Sequence, residues 1–156
     1  MDWGLFFTYL AACGAASATG AMIKPGVWYD SLAKPGWTPP GWVFPVVWTA
    51  LYLCMSLAAM RVAGLAGSGQ ALAFWSVQIA LNTLWTPVFF GLHRMKSALV
   101  VIGFMWVAVA ATMVSFFALD TLAGLLFAPY LLWVTIAATL NASVWWMNRG
   151  REALPA

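Results

Sequence analysis

A chain of 156 residues that is 64% hydrophobic, 16% aromatic and only 7% charged, with a mean hydropathy of +0.89, cannot cover a water-facing surface with polar side chains. These proportions exclude a soluble domain and a disordered chain, and uncharged runs of this length exclude a β-barrel, whose strands alternate in short apolar segments. The formal charge of +3 does not point to nucleic acid, because the basic residues are scattered between apolar runs, where they orient the chain and meet anionic head groups.

Five charge-free windows, at 3–23, 35–60, 62–92, 97–119 and 121–148, are each long enough for the roughly 20 residues that cross about 30 Å of hydrocarbon as helix. None is long enough to cross twice. The sequence therefore predicts an all-α fold, a single domain over 1–156 built as an integral membrane bundle of five transmembrane helices. The first window is not a cleavable signal peptide, because no Lys or Arg precedes it and its apolar run is too long.

In chain order, the first helix is expected at about 3–23. It carries Ala12-x-x-x-Ala16-x-x-x-Gly20 and Gly14-x-x-x-Ala18, spacings that let helix backbones approach closely. The connection at 24–43 holds Pro25, Pro35, Pro39 and Pro40 together with Trp28, Trp37 and Trp42. A structureless segment of this length in a compact chain is a lid or binding element, and its tryptophans are otherwise interface anchors. The second helix is expected at 44–63, with Pro45 in its first turn, where a missing N–H costs nothing. A Gly-rich loop leads to the third helix at 70–90, whose last turn Pro87 should loosen. The fourth is expected at 97–119 and the fifth at 122–147, bent at Pro129. Cys13 and Cys54 lie in apolar runs and behave as small hydrophobes.

With five spans the termini face opposite sides of the membrane. Lys24, Lys34, Arg94, Lys96, Arg149 and Arg151 fall on the side of the Trp-rich loop and the C-terminus, and Arg61 alone on the other. The positive-inside rule puts the loop and the C-terminus in the cytosol and the N-terminus outside. Helical spans favour a bacterial inner membrane, although an outer membrane remains open.

The spans were drawn between charges, and no Asp, Glu, Lys, Arg or His lies inside them, so a charge-driven pump is not expected. Phosphate-loop, dinucleotide, zinc and nucleophile-elbow patterns are absent from the sequence, and neither ordinary catalysis nor a metal site is predicted. His93 sits in the basic loop His93-Arg94-Met95-Lys96 and is expected at head groups rather than on haem iron.

What the spans do carry is neutral and aromatic. Gln78, Asn82, Trp85 and Phe89 share one face of the third helix, Tyr130, Trp133, Ala137 and Asn141 one face of the fifth, and Trp48, Tyr52 and Met55 one face of the second. Such stripes either line a pocket for a flat apolar ligand with a few polar groups, or form core, with buried amides cross-linking helices at about 0.6 kcal/mol each.

Three blocks now point to a family: Trp37-Thr38-Pro39-Pro40-Gly41-Trp42-Val43-Phe44-Pro45-Val46-Val47-Trp48, Asn82-Thr83-Leu84-Trp85-Thr86-Pro87-Val88-Phe89-Phe90-Gly91, and Pro129-Tyr130-Leu131-Leu132-Trp133 with Ala137 and Leu140-Asn141. In content, order and separation they resemble the translocator protein family, the tryptophan-rich sensory protein and peripheral benzodiazepine receptor group. The resemblance implies a five-helix bundle, commonly a homodimer, with a pocket roofed by the first loop. It implies binding of porphyrins such as protoporphyrin IX and haem, and also of cholesterol and benzodiazepine-type ligands, with no obligatory cofactor. The implied pocket residues are Trp37, Trp48, Tyr52, Asn82, Trp85, Trp133, Ala137 and Leu140, and the stripe on the fifth helix adds Tyr130.

Aromatic side chains stacked on a porphyrin disc, with Asn82, loop amides or Lys34 at its carboxylates, would serve tetrapyrrole transport or sensing and the regulation of pigment synthesis. One alternative is light-dependent oxidative degradation of bound protoporphyrin IX, with Trp37 or Trp133 as the reacting indole. Another is a cholesterol- or lipid-binding regulatory protein. Two departures matter: the tyrosine of the family's cholesterol pattern is Ala142 here, and Lys34-Pro35-Gly36-Trp37 has one tryptophan where some bacterial relatives have two.

Overall fold

The computed structural model describes residues 2–150 and is all-helical over them. The helices are α1 (Trp3–Met22), α2 (Val27–Ser31), α3 (Val43–Ala63), α4 (Ser68–Thr86), α5 (Met95–Leu119) and α6 (Thr121–Met147), and a π-helical turn over Pro87–Gly91 prolongs α4. The five long helices match the five expected spans to within a few residues. Arg151, one of the basic residues weighed in the orientation argument, lies outside the described residues.

Local chemistry explains the element ends. Asp2 caps α1 by accepting from the Leu5 N–H at 3.1 Å. Gly67, at φ 81°, supplies the left-handed residue that turns the chain from α3 into α4. Pro87 has no N–H to give the Thr83 carbonyl, and the ladder slips to the wider π spacing, with the Leu92 N–H donating to the Pro87 carbonyl at 2.8 Å. The loosening expected at Pro87 is thus a π turn. By contrast, α6 continues as helix through Pro129.

Asp120 alone separates α5 from α6. Its carboxylate caps α6 by accepting from the Ala123 N–H at 2.8 Å and takes a two-pronged ion pair from Arg61 at 3.2 and 2.6 Å. The Arg61 guanidinium, helped by the Ala123 amide, holds the Asp120 carboxyl below the usual aspartate range. Arg61 lies in the last turn of α3, inside the helix expected at 44–63 but beyond its charge-free window, and Lys96 lies in the first turn of α5, one residue before the expected start. Windows drawn between charges end short, because a helix end at the membrane surface tolerates a basic residue.

The long helices close a ring: α1 packs on α3 and α4, α3 on α6, α6 on α5, and α5 on α4. Buried Gly124 lets α6 run tight against the end of α5, since a Cβ there would overlap the Phe117 ring. Ala16 of the small-residue pattern on α1 is buried and Ala12 packs on the core, while Gly14, Ala18 and Gly20 face outward.

The core is apolar with a few neutral polar side chains, and the outer surface of the helices is apolar as well. Ser56, Gln78, Asn82, Thr112 and Asn141 are buried, while Phe7, Leu53, Phe104, Val114 and Leu132 are exposed. Helices α1, α3, α5 and α6 are each long and apolar enough to cross a membrane. The less apolar α4 carries Gln70, Gln78 and Asn82. The chain is a multi-pass integral membrane protein.

Candidate ligand site

The first connection is not structureless. Its 27–31 stretch forms α2, which docks on the end of α4: Trp28 and Tyr29 pack edge-on against Phe89, and Tyr29 also against Phe90. His93 is exposed and stacks on Trp28 with ring centroids 4.2 Å apart, at a φ of 55° that favours glycine. Buried Leu32 enters a cluster with Phe89, Met95, Ala98, Leu140 and Val144, and so closes that end of the bundle.

A second attachment comes from the far end of the chain. Asn148 accepts from the Ala33 N–H at 3.0 Å, donates to the Ala33 carbonyl at 2.9 Å, and donates its other amide hydrogen to the Val144 carbonyl at 2.7 Å. One side chain thus satisfies both backbone groups of a lid residue. Lys34 is occupied as well, donating to the Asp30 and Leu32 carbonyls and lying over the Tyr29 ring. These contacts brace the lid.

Beneath the lid, α3, α4 and α6 bring the expected stripes together. The Tyr52 hydroxyl donates to the Asn82 Oδ1 at 3.1 Å, and the Asn82 Nδ2 donates to the Tyr130 hydroxyl at 3.1 Å. Trp48 stacks on Tyr52 and meets Tyr130 edge-on, with centroids 5.4 and 5.9 Å apart. Phe44 packs edge-on against Trp133. Trp85 stacks on Phe89 and donates through Nε1 to the Asn141 Oδ1 at 3.2 Å, while the Asn141 amide donates to the Met95 carbonyl at 3.1 Å.

Of the residues singled out from sequence, Trp48, Tyr52, Tyr130, Trp133 and Ala137 share the main core, with Asn82 hydrogen-bonded among them; Leu140 lies in the cluster under Leu32, and Trp85 packs on both, as does Phe44. Trp37 is not brought to them. It is half-exposed, on a turn closed by the Thr38 N–H to the Pro35 carbonyl, and outside both clusters. Phe44, Leu32 and Asn148 were missed. Phe44 was legible, one turn before Trp48 on the same helix face, whereas nothing periodic marks Asn148.

Chemically the arrangement offers aromatic faces, neutral hydrogen-bonding groups and no charge, which suits a flat, mostly apolar molecule. A groove of about 350 Å³ on the outer surface between α3 and α6 reaches the site's rim at Leu51 and Trp133, with Pro129 in its wall. A separate groove of about 450 Å³ on the outside of α6 is lined by Pro35, Ala142, Ser143, Trp145, Trp146 and Met147. The missing tyrosine of the cholesterol pattern opens onto this second groove.

Residues 5–147 match the TspO/MBR family. The chain is similar to the tryptophan-rich sensory protein of Cereibacter sphaeroides, 63% identical over 151 residues that cover 97% of this chain and 96% of the relative. It is similar to protein CrtK of Rhodobacter capsulatus, 52% identical over 158 residues covering 99% of each. With the translocator protein of Sus scrofa it shares 36% identity over 151 residues, 93% of this chain and 89% of the relative. A membrane ring of five helices with an aromatic, amide-lined centre under a docked first loop, matched almost from end to end, belongs to the TspO/MBR family.

Proposed function

We propose that this protein binds tetrapyrroles, protoporphyrin IX and haem among them, between α3, α4 and α6, and acts in their transport or in sensing them to regulate pigment synthesis. The observation that carries this reading is the convergence of Trp48, Tyr52, Trp85, Tyr130 and Trp133 around Asn82 beneath a lid held at two points. A porphyrin is a wide aromatic disc, and indole and phenol faces gain both area and stacking against it. Relatives that bear the names tryptophan-rich sensory protein and translocator protein support a role in sensing or transport. The lid side faces the cytosol in this reading, because six of the seven basic residues lie on it.

The test is an equilibrium titration of the detergent-solubilised protein with protoporphyrin IX in the dark, followed by tryptophan quenching, for wild type and Trp133→Phe. Saturable quenching that weakens in the variant supports the site, and unsaturable quenching refutes it. Porphyrin flux into liposomes then separates transport from sensing. Loss of porphyrin absorbance under light, abolished by Trp133→Phe with binding retained, would mark oxidative degradation.

A further inference from the structure

Four amide side chains are buried in this bundle, and three have both their oxygen and their nitrogen hydrogen-bonded. Asn82 bridges Tyr52 and Tyr130, Asn141 joins Trp85 to the Met95 carbonyl, and Asn148 holds Ala33 and Val144. Gln78 is the exception. It is 0% exposed, and neither its Nε2 nor its Oε1 has a hydrogen-bond partner among the described residues. An unpaired buried amide costs about 1–3 kcal/mol, so its retention calls for an occupant.

Register places this amide at the inner end of the site. Phe89, Trp85, Asn82, Gln78 and Trp75 follow one another along one face of α4 and its π extension, from the lid inward. Trp75 forms the floor, since its Nε1 donates to the Met55 carbonyl and its ring packs on Tyr9. Deeper along this face than Asn82, whose oxygen and nitrogen both have partners, Gln78 is the buried amide with neither atom paired.

We infer that Gln78 is the specificity-determining residue of this site, selecting ligands whose leading edge is neutral and carries a donor and an acceptor side by side: a lactam, an amide or an un-ionised carboxylic acid. A primary amide presents that same pair and closes a two-bond ring with such an edge. An ionised carboxylate is not selected, because no cation lies among the residues of this column to offset its desolvation. The inference rests on the ligand site proposed above and adds what the inner end of that site recognises.

The experiment uses the full chain in detergent, as wild type and Gln78→Leu, with three flat probes of nearly equal size: phenanthridinone, its N-methyl derivative and phenanthrene. Binding is read by equilibrium dialysis corrected for partition into empty micelles, alongside protoporphyrin IX and the melting temperature. Wild type is expected to prefer the lactam over both other probes by about tenfold or more, the worth of two neutral hydrogen bonds. Gln78→Leu should abolish that preference, bind phenanthrene at least as well as wild type, and melt no lower. An unchanged lactam preference in Gln78→Leu, no preference in wild type, or a melting temperature lowered by several degrees, meaning that the amide is already satisfied inside the protein, would each overturn the inference. In those cases protoporphyrin still binds and the site itself stands. If wild type binds neither protoporphyrin nor any probe, the ligand site and this inference fall together.

Discussion

Replacing Asn148 with alanine removes the side chain that hydrogen-bonds the lid to the end of α6. Two hydrogen bonds to Ala33 are lost, at 3.0 and 2.9 Å, and a neutral hydrogen bond contributes a net of about 0.5–1.5 kcal/mol. At a central value of about 1 kcal/mol each, lid opening becomes easier by about 2 kcal/mol, which at room temperature is about thirtyfold in the opening equilibrium. The packing of Leu32, Trp28 and Tyr29 is untouched, so the lid stays docked most of the time. Amide hydrogen exchange read by mass spectrometry measures this directly, because exchange from the native state follows local opening. Peptides covering 27–36 should exchange about thirtyfold faster in Asn148→Ala, and those from the middles of α4 and α5 no faster than in wild type. Asn148→Asp keeps the acceptor for the Ala33 N–H but loses the donor to its carbonyl, and its effect should fall between the two. A change below about threefold over 27–36, or equal acceleration across the whole bundle, would refute the clamp.

Three further outcomes follow from the geometry. In a double-mutant cycle of Asn82→Leu with Tyr130→Phe, read by unfolding in detergent–SDS mixtures, the coupling energy should be near 0.6 kcal/mol and not above about 1.7 kcal/mol, the range for hydrogen bonds between membrane helices; zero coupling would mean that the bond at 3.1 Å adds nothing. Gly124→Ala drives a methyl into the Phe117 ring and should destabilise by about 1–3 kcal/mol, with Phe117→Ala in the same chain restoring part of the loss; a silent Gly124→Ala would show that the ring moves freely. Folding lowers the Asp120 pKa, so its pair with Arg61 stabilises fully above the unfolded aspartate value of about 4 and is lost as pH falls through the lower folded value. Melting midpoints should therefore drop in acid for wild type with a component missing from Asp120→Asn; identical acid limbs would contradict this.

The helices and most of the site were legible because both rest on local rules. Uncharged length sets a span, and a period of 3.6 residues set Trp48, Tyr52, Asn82, Trp85, Tyr130 and Trp133 on their faces before any coordinate. Pro87 announced a disturbed turn for the same reason, although not that the disturbance would take the π form. What escaped was fixed by partners distant in sequence. The five residues of α2 are too few to hold a helix alone and are kept by Phe89, Phe90 and His93. Asn148 looked like the polar end of an apolar run, yet its work is done on Ala33, 115 positions earlier. Trp37 belongs to the first motif block, yet it lies half-exposed outside both clusters, on the turn that the Thr38 N–H closes to the Pro35 carbonyl. Nor does spacing tell Gln78 from Asn82. Both are amides on one face of α4, and only the positions of the Tyr52 and Tyr130 hydroxyls make one occupied and the other free.

The central claim is that the ligand lies inside the ring under the lid and not in the groove on the outside of α6. Ala137 packs on the core between the aromatic stripes, and Ala142 lines the outer groove. Phenylalanine at 137 crowds the aromatic stripes of the proposed site, and phenylalanine at 142 fills the outer groove. The decisive measurement is the dissociation constant of protoporphyrin IX for wild type, Ala137→Phe and Ala142→Phe, each with its melting temperature. The account predicts binding at least about tenfold weaker, or about 1.4 kcal/mol, in Ala137→Phe and unchanged in Ala142→Phe. Unchanged binding in Ala137→Phe together with loss in Ala142→Phe would put the ligand on the outer face and contradict the account.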